Sequence, residues 1–295
     1  AGTLYVPRNS LETYRNKYPW NTFAKIAAIE GPDCDFEVNG LYYNVVDLAN
    51  RTCEVTFDTP YYSSYNQEEI VIPESVQYQG RTFQVVGISH DAFNGSKLVK
   101  KLTIPKSIKT IGKNAFSGCS GLSELNIDNQ IENVQADLSK LPLTTVKFTG
   151  AGTTTPNWLK NNNNLKNVVF DCSNVEAVAD SAFYNCTSLT TIELPHSVKQ
   201  IGTASFEGCK SIVEFRMPQE LDSIKPCAFK NCQSLSGLAF ERNLKVIGSE
   251  AFLGCTSLTA LNITAGIDSI ANSAFNKCTG ITTLNIACLL YTSDA

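Results

Sequence analysis

Phenylalanine recurs every 23 residues through the second two-thirds of this chain, at Phe93, Phe116, Phe183, Phe206, Phe229, Phe252 and Phe275. The successive spacings are 23, 67, 23, 23, 23 and 23, so one long gap interrupts a fixed period. That gap holds two worn copies, marked by Leu143, Val146 and Phe148 and again by Leu165, Val168 and Phe170. They place Asp137 and Leu159 at the phenylalanine position, and all eight intervals then lie between 21 and 24. Such a period predicts a solenoid. One unit cannot bury its apolar side alone, and stacking buries all of them.

The unit can be written from its phenylalanine. Alanine precedes it in six of the seven clear copies, Ser205 being the exception. Cysteine follows three residues later, as Cys119, Cys186, Cys209, Cys232, Cys255 and Cys278, with Ser96 in the first copy. Apolar residues then stand at offsets 6, 9, 11, 15 and 18, which in the copy from Phe252 are Leu258, Leu261, Ile263, Ile267 and Ile270. The alternation at offsets 9 and 11 predicts a strand with one buried face. Pro105, Pro195 and Pro218 end that strand, because proline cannot continue a ladder. Gly112, Gly202 and Gly248 suit a tight turn after the offset-18 isoleucine. Nine rungs about 4.8 Å apart would give an array roughly 40 Å long.

Eleven cysteines invite a disulfide or metal reading, but six occupy one repeat position. Parallel side-chain vectors on stacked rungs give poor disulfide geometry. With two histidines and no Cys-x-x-Cys pair, zinc chemistry has no ligand set. The expectation is buried, reduced thiols packed as small apolar groups. Cys34, Cys53, Cys172, Cys227 and Cys288 show no usable spacing. A net charge of -4 and a pI near 5.3 offer no basic footprint for nucleic acid. No apolar run approaches a membrane span, so no insertion is expected within these residues. The chain starts at Ala1 rather than methionine, so a fragment or processed product is expected and the missing leader carries no weight.

The unit Ala-Phe-x-x-Cys-x-x-Leu-x-x-Leu-x-Ile-Pro, seen closely in residues 182–195, resembles the BspA-like class of leucine-rich repeats. The resemblance spans about residues 34 to 287. It implies a leucine-rich repeat solenoid, with a parallel β-strand on one face and turns and short helical segments on the other. An N-terminal β-hairpin cap is expected before the first Ala-Phe. Residues 72–88 look like the family's opening repeat, with a hairpin turn from Tyr78 to Thr82 around Gly80. Phe36 to Tyr43 and Cys53 to Phe57 read as two further strands around a polar turn. Residues 1–31 look like the closing cap of a preceding array, with Ser10 capping a helix over Leu11 to Lys17. The expected division is then 32–91 as β-rich cap and opening repeat, 92–287 as the array, and 288–295 as a non-native tail. That tail, from Cys288 to Ala295, resembles the translation of a transposon adapter used in sequencing libraries. The pattern fails there too, with Ser293 at offset 18.

No catalytic constellation is visible, and no catalytic, cofactor or metal residue is expected. His90 and His196 fall in turns and read as surface residues. Asp128, Glu132, Glu214 and Glu220 lie on different rungs, and no phosphate loop, nucleophile elbow or His-Glu-x-x-His is present. The Trp158 region with its Asn161 to Asn164 run reads as a loop. The triplets at Asp180, Asp222 and Asp268 resemble the short O-glycosylation motif of Bacteroidetes. In two of them the serine precedes an offset-18 isoleucine expected to be buried, so modification is not expected.

Offsets 8 and 10 point away from the core and make the candidate binding face. Its candidates are Lys101, Thr103, Glu124, Asn126, Thr145, Lys147, Thr191, Glu193, Glu214, Arg216, Asn262 and Asn285. Asn167, Val169, Gly237, Ala239, Ala260 and Thr283 complete the two rows. The face is polar, mixed in charge and free of aromatic rings, which favours a protein partner over a glycan. The resemblance implies an extracellular or surface-attached bacterial protein that adheres to host matrix, host cells or other microbes. A spacer or recognition arm of a larger protein is the alternative, and an enzyme the remote one. The partner's identity is not written in the sequence, and a monomer is expected.

Overall fold

The computed structural model describes residues 3–6, 11–16, 18–19, 22–23, 25–28, 34–58, 65–263 and 266–286. The molecule is a parallel β-solenoid of about 11 turns with almost no helix. Among the described residues of the array the expected helical segments shrink to a 3-10 turn at Leu138–Lys140, and a helix lies at Leu11–Asn16 near the start. Elsewhere in the array the chain passes phenylalanine in hydrogen-bonded turns. Thr3–Val6 and Lys25–Ala28 form a separate parallel pair. Ser10, expected to cap the first helix, lies outside the described residues, as does the whole 288–295 tail.

The phenylalanines form the core column. Phe183, Phe206, Phe229, Phe252 and Phe275 stack with ring centroids 5.2–5.3 Å apart and planes within 1–16° of parallel. Burying each ring stabilises the array by roughly 1.5–3 kcal/mol. Tyr65 extends the column one turn toward the N-terminus, 4.6 Å from Phe93. Its hydroxyl donates to Thr56 C=O.

The turn around each phenylalanine has a fixed backbone. Residues two before and two after it adopt positive φ, as at Ser181 and Asn185 (58° and 54°) or Ala204 and Gly208 (52° and 76°). This aims three alternate N–H groups at the next turn. Ser181, Phe183 and Asn185 donate to Thr203, Ser205 and Glu207 at 2.8–2.9 Å.

The worn turns correct one expectation. Leu138, not Asp137, takes the phenylalanine's place: Leu138 is buried, while Asp137 is exposed and caps the 3-10 turn through Ser139 N–H. Volume lost at Leu138 and Leu159 is recovered at offset 11, where Phe148 packs 5.8 Å from Trp158 and 5.4 Å from Phe170.

The offset-18 glycines also need a different reason. Gly112, Gly202 and Gly248 have no positive φ. A Cβ at any of them would fall 2.4–2.6 Å from the preceding turn's backbone. Close stacking, rather than turn geometry, requires them.

Two parallel sheets run along the solenoid. The strand face has six strands, in the order Thr191–Ile192, Asn167–Phe170, Thr145–Thr149, Glu124–Asp128, Lys101–Ile104 and Glu69–Val71. It then thins. Around Phe206 and Phe229 only the bridge Glu214↔Gly237 remains, before Ala260–Ile263 pairs with Thr283–Ile286. A second sheet, not anticipated, is built from two-residue strands at offsets 17 and 18. It runs Ala177–Val178, Gln200–Ile201, Ser223–Ile224, Val246–Ile247 and Ser269–Ile270. Ile224 is fully buried there, but Ile270 is 41% exposed, against expectation, because no described turn follows to cover it.

The N-terminal cap is more subdivided than expected. Phe36–Val38 and Leu41–Asp47 make a hairpin across Asn39 and Gly40, both at positive φ. Thr52–Thr56 continues antiparallel to Leu41–Asp47 and runs parallel to Arg81–Ile88. Ser75–Tyr78 turns back on Arg81–Ile88 through Gln79 and Gly80, as the hairpin reading expects.

Candidate binding face

Ladder register decides which outward side chains stand together. Lys101, Glu124, Thr145, Asn167 and Thr191 are direct partners in one column. Thr103, Asn126, Lys147 and Val169 form the neighbouring column. Glu69 and Val71 extend both by one turn, and sequence reasoning passed over them. The signal was present, since Ile70-Val71-Ile72-Pro73 repeats the pattern Leu102-Thr103-Ile104-Pro105.

Several polar groups on this face hold each other. Asn126 Nδ2 donates to Thr103 Oγ1 at 3.2 Å, and Asn285 Nδ2 to Asn262 Oδ1 at 2.7 Å. Lys101 pairs with Glu69 and Lys147 with Asp171, each at 2.8 Å. The Lys101 ammonium is raised in pKa by its hydrogen bond to Glu69. Among the described residues, no ion pair joins Arg216 to Glu193 or Glu214, although all three are exposed. Their turns line a shallow depression that also includes Thr191, Gly237 and Ala239. Glycine and alanine leave it open, and Glu193, Glu214 and Arg216 supply its charge.

His90 and His196 are exposed. Burial raises the Glu54 carboxyl, with His90 acting against that shift. Among the described residues, no group of three histidine, cysteine or acidic side chains could hold a metal ion. The asparagine run is structural at its centre. Asn162 is buried, and its Nδ2 donates to Leu138 and Leu141 carbonyls at 3.0 and 3.2 Å.

The cysteine column has a role beyond apolar packing. Each Sγ meets the carbonyl of the preceding turn's phenylalanine, as in Cys209 to Phe183 and Cys232 to Phe206, both at 3.1 Å. Cys186 meets Leu159 C=O at 3.3 Å, and Asn162 does the same work toward Leu138. Offset 3 is therefore a donor position. Its occupants Cys and Asn share a donor rather than hydrophobicity.

Comparison with known proteins agrees with this architecture. Six copies of the BspA type leucine-rich repeat region match residues 55–174, 86–212 and 153–282. The chain belongs to that family. Among solved structures it is similar to a leucine-rich repeat protein from Bacteroides ovatus, at 23% identity, 85% of this chain, 70% of that chain and TM-score 0.49. A Treponema pallidum leucine-rich repeat protein gives 22% identity, 76% and 90% coverage, and TM-score 0.46. A leucine-rich cell surface protein from Faecalibacterium prausnitzii gives 18% identity, 86% and 94% coverage, and TM-score 0.35. No curated protein matches the chain.

Proposed function

We propose that this repeat protein is a non-enzymatic adhesion protein, secreted or held at a bacterial surface, whose outward strand columns bind a protein partner. The observation that carries this reading is the register-locked pair of columns. Parallel strands repeat the same two outward positions turn after turn, giving a broad polar face rather than a deep cleft. Secretion or surface attachment is what resemblance to the BspA-like class implies. Within the face, Glu193, Glu214 and Arg216 are exposed, stand together and make no ion pair among the described residues, so binding is assigned to that stretch. A spacer role is the second reading, favoured by the internal pairing of Lys101 and Lys147.

The test uses the purified chain against immobilised matrix proteins, followed by Glu214→Lys combined with Arg216→Glu. The double variant should lose affinity for a verified partner while its melting temperature stays close to the parent's, since exposed charge changes seldom move stability beyond about 0.5 kcal/mol. Unchanged affinity, with loss mapping to residues 34–90 or to Trp158, would move the site elsewhere.

A further inference from the structure

The second sheet carries a column of exposed side chains whose charge alternates along the solenoid. Backbone bonds fix its register within two runs, and successive turns of the solenoid place one run after the other. Lys199 N–H donates to Glu176 C=O at 2.7 Å, and Asp222, Lys245 and Asp268 each donate to the member before at 2.8 Å. Toward the N-terminus the same position holds Lys109 and Glu132, joined at 3.2 Å. Between the two groups lies Thr153, whose carbonyl accepts from Glu176 N–H at 2.7 Å. All of these residues are exposed. From Lys109 to Asp268 the signs run plus, minus, neutral, minus, plus, minus, plus, minus.

Pairing within the column does not account for the alternation. Neighbouring turns bring opposite charges within about 5 Å of backbone separation. Of these neighbours, Glu176 and Lys199 close to an ion pair, at 3.4 Å. Lys245 Nζ turns instead to Gly266 C=O at 3.0 Å. Among the described residues, Lys109, Glu132, Asp222 and Asp268 make no ion pair.

A column of alternating signs and even length is complementary to its own reverse. Place a two-fold axis between Glu176 and Lys199. Glu176 then meets Lys199 of a second copy, Thr153 meets Asp222, Glu132 meets Lys245 and Lys109 meets Asp268. Each contact occurs twice, as an isologous interface requires. No like charges meet. Parallel apposition in register would set every charge against its own kind. Beside the column, the sheet's outward positions are short at Thr154, Ala177, Ser223 and Ser269, with the longer Gln200 and the exposed Val246 among them, so a second copy can approach over most of the strip.

We propose that the second sheet is a homotypic surface on which two copies of this chain associate antiparallel through the alternating column. Its biological sense rests on the surface-held reading above. Chains held by the same end on two opposed surfaces would overlap antiparallel. The strip is about 34 Å long and buries on the order of 400 Å² per copy, half of a standard interface. The association is therefore weak, salt-sensitive, and effective where copies are crowded.

The experiment is sedimentation equilibrium of the whole chain across protein concentration, at about 0.05 M and about 0.5 M salt. Wild type should dimerise at low salt and dissociate at high salt. Lys245→Glu should weaken the dimer roughly tenfold or more, because two attractive contacts become repulsive. Adding Glu132→Lys to that variant should restore the dimer, because position 132 faces position 245 across the axis. Within one chain the same double change places like charges on neighbouring turns, so a purely intramolecular role predicts lower thermal stability and no rescue. A wild type that stays monomeric at low salt, or a double variant that fails to recover while melting normally, overturns the proposal. Neither outcome bears on Glu214 and Arg216, which lie on the strand face, away from the second sheet.

Discussion

Cysteine earns its place three residues after phenylalanine by donating a weak hydrogen bond into a dry interior. Burial pushes the Cys119 thiol up to about 11 and Cys186 up to about 12, and raises Cys209 and Cys232 as well. An ordinary thiol in the unfolded chain titrates near 9.0. The folded state thus keeps protons that the unfolded state releases at high pH. This stabilisation is complete below about pH 9 and is lost as pH rises toward the folded values. The urea midpoint should hold steady from about pH 7 to about pH 8.5 and fall above about pH 9. Cys186→Ser keeps a donor but removes one titrating thiol, so its midpoint should fall less steeply over the same range. Parallel declines in parent and variant would assign the alkaline loss to other groups, such as the buried Tyr43 and Tyr65 hydroxyls.

At the scale of the element, the phenylalanine turn and the strand that follows it were legible because their chemistry leaves few choices. Only a flat ring stacks at 5.2 Å, and only alternation buries one side of a strand. The second sheet was not legible. Its strands are two residues long, too short to display a period, so Ser223–Ile224 reads in the sequence as one more apolar position. The thinning of the strand ladder was hidden for the opposite reason. Phe215 and Met217 alternate as a strand should and are buried, yet their backbones do not pair in a ladder. On the candidate face, periodicity found the two columns but not their internal ion pairs. Those depend on Glu69, on a turn before the first Ala-Phe copy, and on Asp171, which lies outside the two outward positions of its repeat. The stacking role of glycine yields a direct test. A Cβ on Gly248 would sit 2.6 Å from Pro226 N and 2.7 Å from Lys225 C, neither of which can swing aside. Gly248→Ala should cost about 1–3 kcal/mol by overpacking. The same change at Gly237, where no atom lies within 4 Å, should be close to neutral. Equal losses at the two sites in thermal denaturation would remove close stacking as the reason for the glycine.

Across the whole molecule, the two sheets divide the task of holding turns together. The continuous strand ladder ends at Thr191–Ile192, and the second sheet's five-strand run begins at Ala177–Val178. Up to Thr191–Ile192 the turns are tied on the strand side, and in the N-terminal turns also on the opposite side, where Thr110–Ile111 pairs with Arg81–Ile88 and Asn133–Val134; beyond it the ties lie mainly on the opposite side, with the phenylalanine column and turn hydrogen bonds common to both. In a quasi-one-dimensional array each interface answers mainly to its neighbours, so an untied side opens locally without unfolding the rest. Amide exchange should show this. Val246–Ile247 and Ser223–Ile224 should be well protected, while residues 215–217 and 238–240 exchange faster from equally buried turns. Equal protection would mean that the strand ladder is continuous in solution. The loosely tied stretch is also where Glu193, Glu214 and Arg216 stand. A partner that spans these side chains ties the same turns from outside, so its binding should slow exchange at 215–217 and leave Ser223–Ile224 unchanged. Protection appearing at the second sheet instead would mark the homotypic surface as the one engaged.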